Sequence, residues 1–173
     1  MERKILAKKI FETAHITGEF LLRSGKISNE YFDKYLFESK PELLSEIAKH
    51  LIPLIPTDSE ILAGLEMGGI PIATAISLQN YMPTIFVRKK AKEYGTRKLA
   101  EGNAFKGKKV CIIEDVVTTG GQIIESANQL RQLGAIVENV MCVIVREDAA
   151  FEKLAAADLK LIPLFSMQEL KEA

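Results

Sequence analysis

At 173 residues the chain is long enough for one domain with a sizeable core and too short for two comfortable ones, so a single domain over 1–173 is expected. Its 23 Lys and Arg balance 23 Asp and Glu, which excludes an overall field drawing it to nucleic acid or an anionic membrane; anion binding is left to local patches. Cys111 and Cys142 sit in apolar strand-like runs and imply no disulfide framework, no signal-type block follows Met1-Glu2-Arg3-Lys4, and no apolar run reaches membrane-spanning length. A cytoplasmic protein is expected.

Residues 2–16 place Ile5, Leu6, Ile10, Phe11 and Ala14 at helical spacing, opposite Lys4, Lys8, Lys9 and Glu12, and predict an N-terminal amphipathic helix. Over about 17–36 the character changes. Phe20-Leu21-Leu22 and Tyr31-Phe32 read as short strands joined by Arg23-Ser24-Gly25-Lys26-Ile27-Ser28, a small hairpin-like flap. Residues 41–52 read as a helix begun by Ser39, or by Pro41 in its first turn, with Leu43, Leu44, Ile47 and Leu51 as the buried stripe.

An apolar strand over 60–65 follows, then the loop Glu66-Met67-Gly68-Gly69 and a helix over 70–79. Glycines ahead of a helix N-terminus form an anion-cradling loop. The next strand, 84–88, runs into the longest polar segment of the chain, with six cations in eleven residues from Arg88 to Lys98 and no sustained apolar stripe. A mobile, solvated loop over about 89–102 is expected.

The densest chemistry lies at 110–122, Val-Cys-Ile-Ile-Glu-Asp-Val-Val-Thr-Thr-Gly-Gly-Gln. An apolar run ends in two carboxylates, and a Thr-Thr-Gly-Gly turn opens an amphipathic helix whose free amides, hydroxyls and dipole favour an anion. The predicted ligand group is a phosphate. Carboxylates cannot face that phosphate without repulsion, so Glu114 and Asp115 take neutral hydroxyls or a metal ion as partners. Ile123, Ile124, Ala127, Leu130 and Leu133 then give a helix stripe capped at Gly134; an apolar strand over 136–145 leads to Arg146, and a helix over 149–157 and a strand over 159–165 complete the pattern. Strands alternating with helices predict an α/β domain with a mainly parallel central sheet flanked by helices.

The Glu-Asp-Val-Val-Thr-Thr-Gly-Gly stretch resembles the phosphoribosyl-pyrophosphate signature of type I phosphoribosyltransferases, and its wording looks most like the orotate phosphoribosyltransferases. Phe20, Leu22, Ser24, Gly25, Lys26 and Ser28 match that family's N-terminal hood, and Arg88, Lys89 and Lys92 match its catalytic lid. The resemblance implies phosphoribosyl-pyrophosphate contacts from Arg88, Lys89, Lys92, Glu114, Asp115, Val116, Val117, Thr118, Thr119, Gly120, Gly121 and Gln122, with Lys92 and Asp115 catalytic. It implies a pyrophosphate loop at Glu66, Met67, Gly68 and Gly69, and orotate contacts from Arg23, Lys26, Tyr31, Phe32, Thr118 and Arg146. Arg146 has the guanidinium geometry that grips a carboxylate bidentately.

Mg²⁺ held mainly through the substrate pyrophosphate, and a homodimer that donates the lid across its interface, are further implications. Two positions depart from the family pattern: Gly68 stands where some members carry a lysine, and Tyr94 where many carry a histidine. The implied activity is transfer of a phosphoribosyl group to orotate. The rivals are a purine acceptor on the same fold, against which the hood and Arg146 argue, and a non-catalytic sensor of phosphoribosyl pyrophosphate, for which a persistent basic face would be expected.

Overall fold

The computed structural model describes residues 1–22, 25–90 and 98–173. Helix α1 (Arg3–Ala14) leads into an antiparallel hairpin, β1 (His15–Leu21) and β2 (Ile27–Phe32), which forms its own two-stranded sheet. Two short helical elements follow, α2 (Lys34–Glu38) and the longer α3 (Pro41–Leu51). The main sheet then builds up through β3 (Ile61–Leu65), α4 (Gly69–Asn80), β4 (Thr84–Val87), β5 (Ala100–Gly102), β6 (Lys109–Val117), α5 (Gly121–Gln132), β7 (Ile136–Val145), α6 (Ala149–Ala155), β8 (Lys160–Ser166) and α7 (Met167–Glu172).

The six strands lie in the order β5-β4-β3-β6-β7-β8, all neighbours parallel except the β4–β5 edge pair. A parallel sheet needs cover on both faces, and the strand sequences supply it. In β6, Val110 and Ile112 join one core with Ile123, Ala127 and Leu130 of α5 and Leu154 of α6. Cys111 and Ile113 join the other, with Leu6 and Ile10 of α1, Ile47 and Leu51 of α3, and Ile72 and Ile76 of α4. After β3 the chain winds through α4 toward β4, and after β6 it winds through α5 toward β7 on the other side. The order therefore reverses between β3 and β6, and the crevice at their C-terminal ends is where such sheets take ligands.

The hairpin is seated by rings. Phe32 lies 6.4 Å from both Phe11 of α1 and Phe37 of α2, centroid to centroid, and Phe20 lies 5.6 Å from Tyr31 across the hairpin. The Asp33 amide donates to the Ala14 carbonyl at 2.8 Å and closes the hairpin onto the end of α1. The helix expected over 2–16 stops at Ala14, because His15 and Ile16 are extended and pair with Phe32 and Tyr31. β6 likewise runs past the expected end of its strand and carries Glu114 and Asp115 within it.

The loop expected over 89–102 is shorter at its C-terminal side. Ala100–Gly102 form edge strand β5, and Leu99 and Ala100 are buried in the core. Charge density hid a three-residue strand whose partner, β4, lies earlier in the chain. Two helices had no counterpart in the pattern reading. Helix α2 is capped by the Asp33 carboxylate on the Tyr35 amide, and α7 carries a reciprocal capping box between Ser166 and Glu169. No helix among the described residues is long and apolar enough to cross a membrane.

Candidate active site

A cavity of about 320 Å³ opens at the C-terminal ends of β3, β4 and β6. Glu66 and Met67 contribute from the loop after β3, Arg88 and Lys89 from the end of β4, and Glu114, Val116 and Val117 from β6. Thr118, Thr119, Gly120, Gly121 and Gln122 form the wall where α5 begins. Gly120 has φ of 75°, a conformation that favours glycine, and a Cβ there would press on the Leu154 side chain at 3.0 Å. No side chain caps α5, leaving its first amides free for an anion beside Thr118 and Thr119. Cations face this wall: Arg88 Nε is buried without a hydrogen-bond partner among the described residues, and the Lys89 amide is fixed by Glu66 Oε1.

The two adjacent acids do not share the cavity. Their side chains diverge from the strand: Glu114 lines the cavity, whereas Asp115 is fully buried behind it. Asp115 Oδ2 pairs with Lys34 Nζ at 2.5 Å, and Oδ1 accepts from the Val116 amide at 2.5 Å. Of the two carboxylates expected to take ribose hydroxyls or a metal ion, Glu114 lines this cavity and Asp115 stands behind it, paired with Lys34.

Glu38, 6 % exposed, completes the cluster from α2. Burial, then the hydrogen bond and charge of Asp115, push its carboxyl up to about 9, so it keeps its proton at neutral pH. Burial and the Asp115 charge also raise Glu114 well above the usual carboxylate range. For Asp115 burial opposes the charge, but the neighbouring Glu114, Lys34 and Glu38 groups outweigh it and hold the carboxyl below its ordinary value. Lys34 is likewise penalised by burial and held above the ordinary lysine value by Asp115. The negative charge of the cluster thus settles on Asp115.

The glycines of the loop after β3 also answer to packing. Glu66 and Met67 line the cavity, but Gly68 and Gly69 are buried behind them. A Cβ on Gly68 would lie 1.6 Å from Asp115 Oδ2, and one on Gly69 2.2 Å from the Ile113 carbonyl oxygen. A side chain at 69 would meet the backbone of β6, and one at 68 would displace the Asp115 carboxylate from its place beside Lys34. The Glu66–Met67 peptide is cis.

A second cavity, about 170 Å³, lies between the hairpin and the strand ends and is walled by Tyr31, Phe32, Asp33, Lys34, Tyr35, Val116, Thr118 and Arg146. Arg146 follows β7, its amide donating to the Val117 carbonyl at 2.8 Å, and so stands beside the end of β6. Lys34, Tyr35, Val116 and Thr118 belong to both cavities, which makes them two rooms of one site. Lys26 lines neither: it is exposed at the hairpin turn. Arg23, Lys92 and Tyr94 lie outside the described residues.

The phosphoribosyl transferase domain family matches residues 38–163. An orotate phosphoribosyltransferase of Nocardioides sp. is 47 % identical over 168 residues, covering 97 % of this chain and 94 % of that protein. The chain belongs to the orotate phosphoribosyltransferase family. Among solved structures of that family, the Mycobacterium tuberculosis enzyme in complex with inorganic phosphate superposes with a TM-score of 0.87 at 25 % identity, covering 98 % of each chain. The Aeropyrum pernix orotate phosphoribosyltransferase gives 0.83 at 30 % identity, covering 96 % of each. Against the family pattern, Lys34 and Glu38 are the residues that pattern reading missed. A cation one residue beyond an Asp helix cap was the only available signal for Lys34.

Proposed function

We propose that this orotate phosphoribosyltransferase joins orotate to 5-phosphoribosyl 1-pyrophosphate, giving orotidine 5′-monophosphate and pyrophosphate in pyrimidine biosynthesis. The observation that carries the reading is the pair of adjoining cavities that share Lys34, Tyr35, Val116 and Thr118: one offers free helix amides, threonines and cations, the other aromatic rings and an arginine. In this reading Thr118 to Gly121 receive the 5-phosphate, and Glu114, supported by Asp115 behind it, the ribose hydroxyls. Arg88 and Lys89 face the departing pyrophosphate. Tyr31 and Phe32 bound the orotate ring, and Arg146 takes its carboxylate.

The ring nitrogen forms its bond to the anomeric carbon as the carbon–oxygen bond to pyrophosphate breaks; the electron pair leaves with pyrophosphate, and the ring N–H proton passes to water. No covalent enzyme intermediate is needed. Positioning and electrostatic stabilisation of the growing negative charge supply the catalysis. Glu66 puts a carboxylate and Glu114 a carboxyl on the donor wall, while no group of three or more acidic, His or Cys side chains able to hold a metal ion occurs among the described residues. That donor set would suit Mg²⁺ carried in by phosphates and steadied by a carboxylate, and poorly suits a metal caged by protein. When bound, the ion neutralises pyrophosphate charge.

Lys92, on a lid given to a neighbouring subunit in a homodimer, is part of the same proposal, as are a single domain over 1–173 and a cytoplasmic setting. Two buried free thiols accord with the last. The test is loss of orotate absorbance on mixing with phosphoribosyl pyrophosphate and Mg²⁺, with uracil, adenine and hypoxanthine as competing acceptors. Turnover of orotate that stops on chelation of the metal is expected; no turnover with orotate overturns the reading.

A further inference from the structure

The position of Lys34 calls for an explanation beyond helix α2. Its side chain is 31 % exposed, yet its Nζ is held 2.5 Å from a carboxylate that is fully buried. A lysine at a protein surface ordinarily keeps its head in water and its stem mobile. Here the stem is directed inward, with the ammonium 5.3 Å from the Tyr35 ring centroid. Asp115 takes only part of the ammonium's donor capacity, and the remaining hydrogens are free to meet a ligand.

Its place relative to the other cations is what gives it a role. Arg88 and Lys89 line the donor cavity and not the acceptor cavity, and Arg146 lines the acceptor cavity and not the donor cavity. Among the described residues, Lys34 is the cation that lines both. A group at that junction stands where the acceptor ring meets the anomeric carbon.

We infer that Lys34 is a catalytic residue of the transfer, its ammonium contacting the acceptor ring at the junction of the two cavities and stabilising the negative charge the ring bears as it gives up its N–H proton. Asp115 is its positioning residue, holding the ammonium at 2.5 Å from a fully buried carboxylate. Arg146 and Lys34 then divide the acceptor between them, the guanidinium taking the carboxylate and the ammonium the ring. The donor's phosphates stay with α5 and the cations of β4.

The inference rests on the orotate reading, and the experiment separates the two. Wild-type protein is assayed with orotate, phosphoribosyl pyrophosphate and Mg²⁺ beside Lys34→Met, which keeps the stem length and removes the charge. A lost charge-assisted contact is expected to lower kcat/KM for orotate by roughly 10- to 100-fold, with kcat reduced, while the dissociation constant of phosphoribosyl pyrophosphate changes by less than about threefold. A purely structural role, acting through Asp115, would instead impair both substrates together.

A second variant guards against loss of fold. Lys34→Cys can be alkylated with 2-bromoethylamine to rebuild an ammonium at nearly the original reach, and Cys111 and Cys142 are buried, which directs the reagent to the new thiol. Alkylation is expected to recover most of the orotate kcat/KM. Unchanged orotate kinetics in Lys34→Met, equal losses for both substrates, or no recovery on alkylation overturns the role of Lys34. Failure of the wild type to turn over orotate removes the orotate reading itself, and the inference with it.

Discussion

Glu38 makes the clearest residue-scale prediction, because it is a carboxyl buried next to another carboxyl. In the unfolded chain it releases its proton near 4.5, and in the folded protein it holds it up to about 9. Between those values the folded state binds more protons than the unfolded one, so this residue makes stability fall as pH rises through that window. Glu38→Gln keeps a donor for Asp115 and removes the titration. Its melting temperature relative to wild type should climb steadily from pH 5 to pH 9, and an offset that is the same at every pH would contradict the assignment. Arg146 makes a prediction about binding: Arg146→Ala should raise the KM for orotate by roughly 10- to 100-fold, the scale of a lost charge-assisted pair, and leave phosphoribosyl pyrophosphate nearly unaffected. Equal weakening of both substrates would remove the carboxylate contact.

At the scale of elements, β5 shows what pattern reading can and cannot recover. The strands and helices with apolar periodicity, such as β3, β7 and α5, were legible because burial on one or both faces writes itself into the spacing of Ile, Val and Leu. β5 was not, since three residues next to a run of cations carry no period, and only pairing with β4 makes a strand of them. The turn at 118–122 that opens α5 was legible for the same local reason: its threonines and glycines are adjacent in the chain. The Lys34–Asp115 pair was not, because it joins residues 34 and 115 from different elements and needs the hairpin to be seated on α1 first. Burial of Leu99 beside β5 also sets an expectation. Leu99→Ala should cost about 2 kcal/mol and lower the melting temperature by several degrees, which thermal denaturation would register. A change within error would mean that this edge is not part of the cooperative core.

For the whole molecule, the proposed exchange of lids makes catalysis a property of a pair. Subunits carrying Lys92→Ala and subunits carrying Asp115→Asn should each be inactive alone. When co-assembled they should recover about half of the wild-type rate per heterodimer, since one of its two sites then holds both defects and the other none. Purified heterodimers with no recovered activity would exclude a shared site. The junction walled by Lys34, Tyr35, Val116 and Thr118 has a pharmacological side as well. Rooms of about 320 and 170 Å³ with a common wall can be filled by one molecule, which surrenders its rigid-body freedom once where two separate fragments surrender it twice. A ribose-phosphate mimic fused by a short linker to a planar anionic ring should therefore inhibit on the order of 100-fold more tightly than the better of its halves.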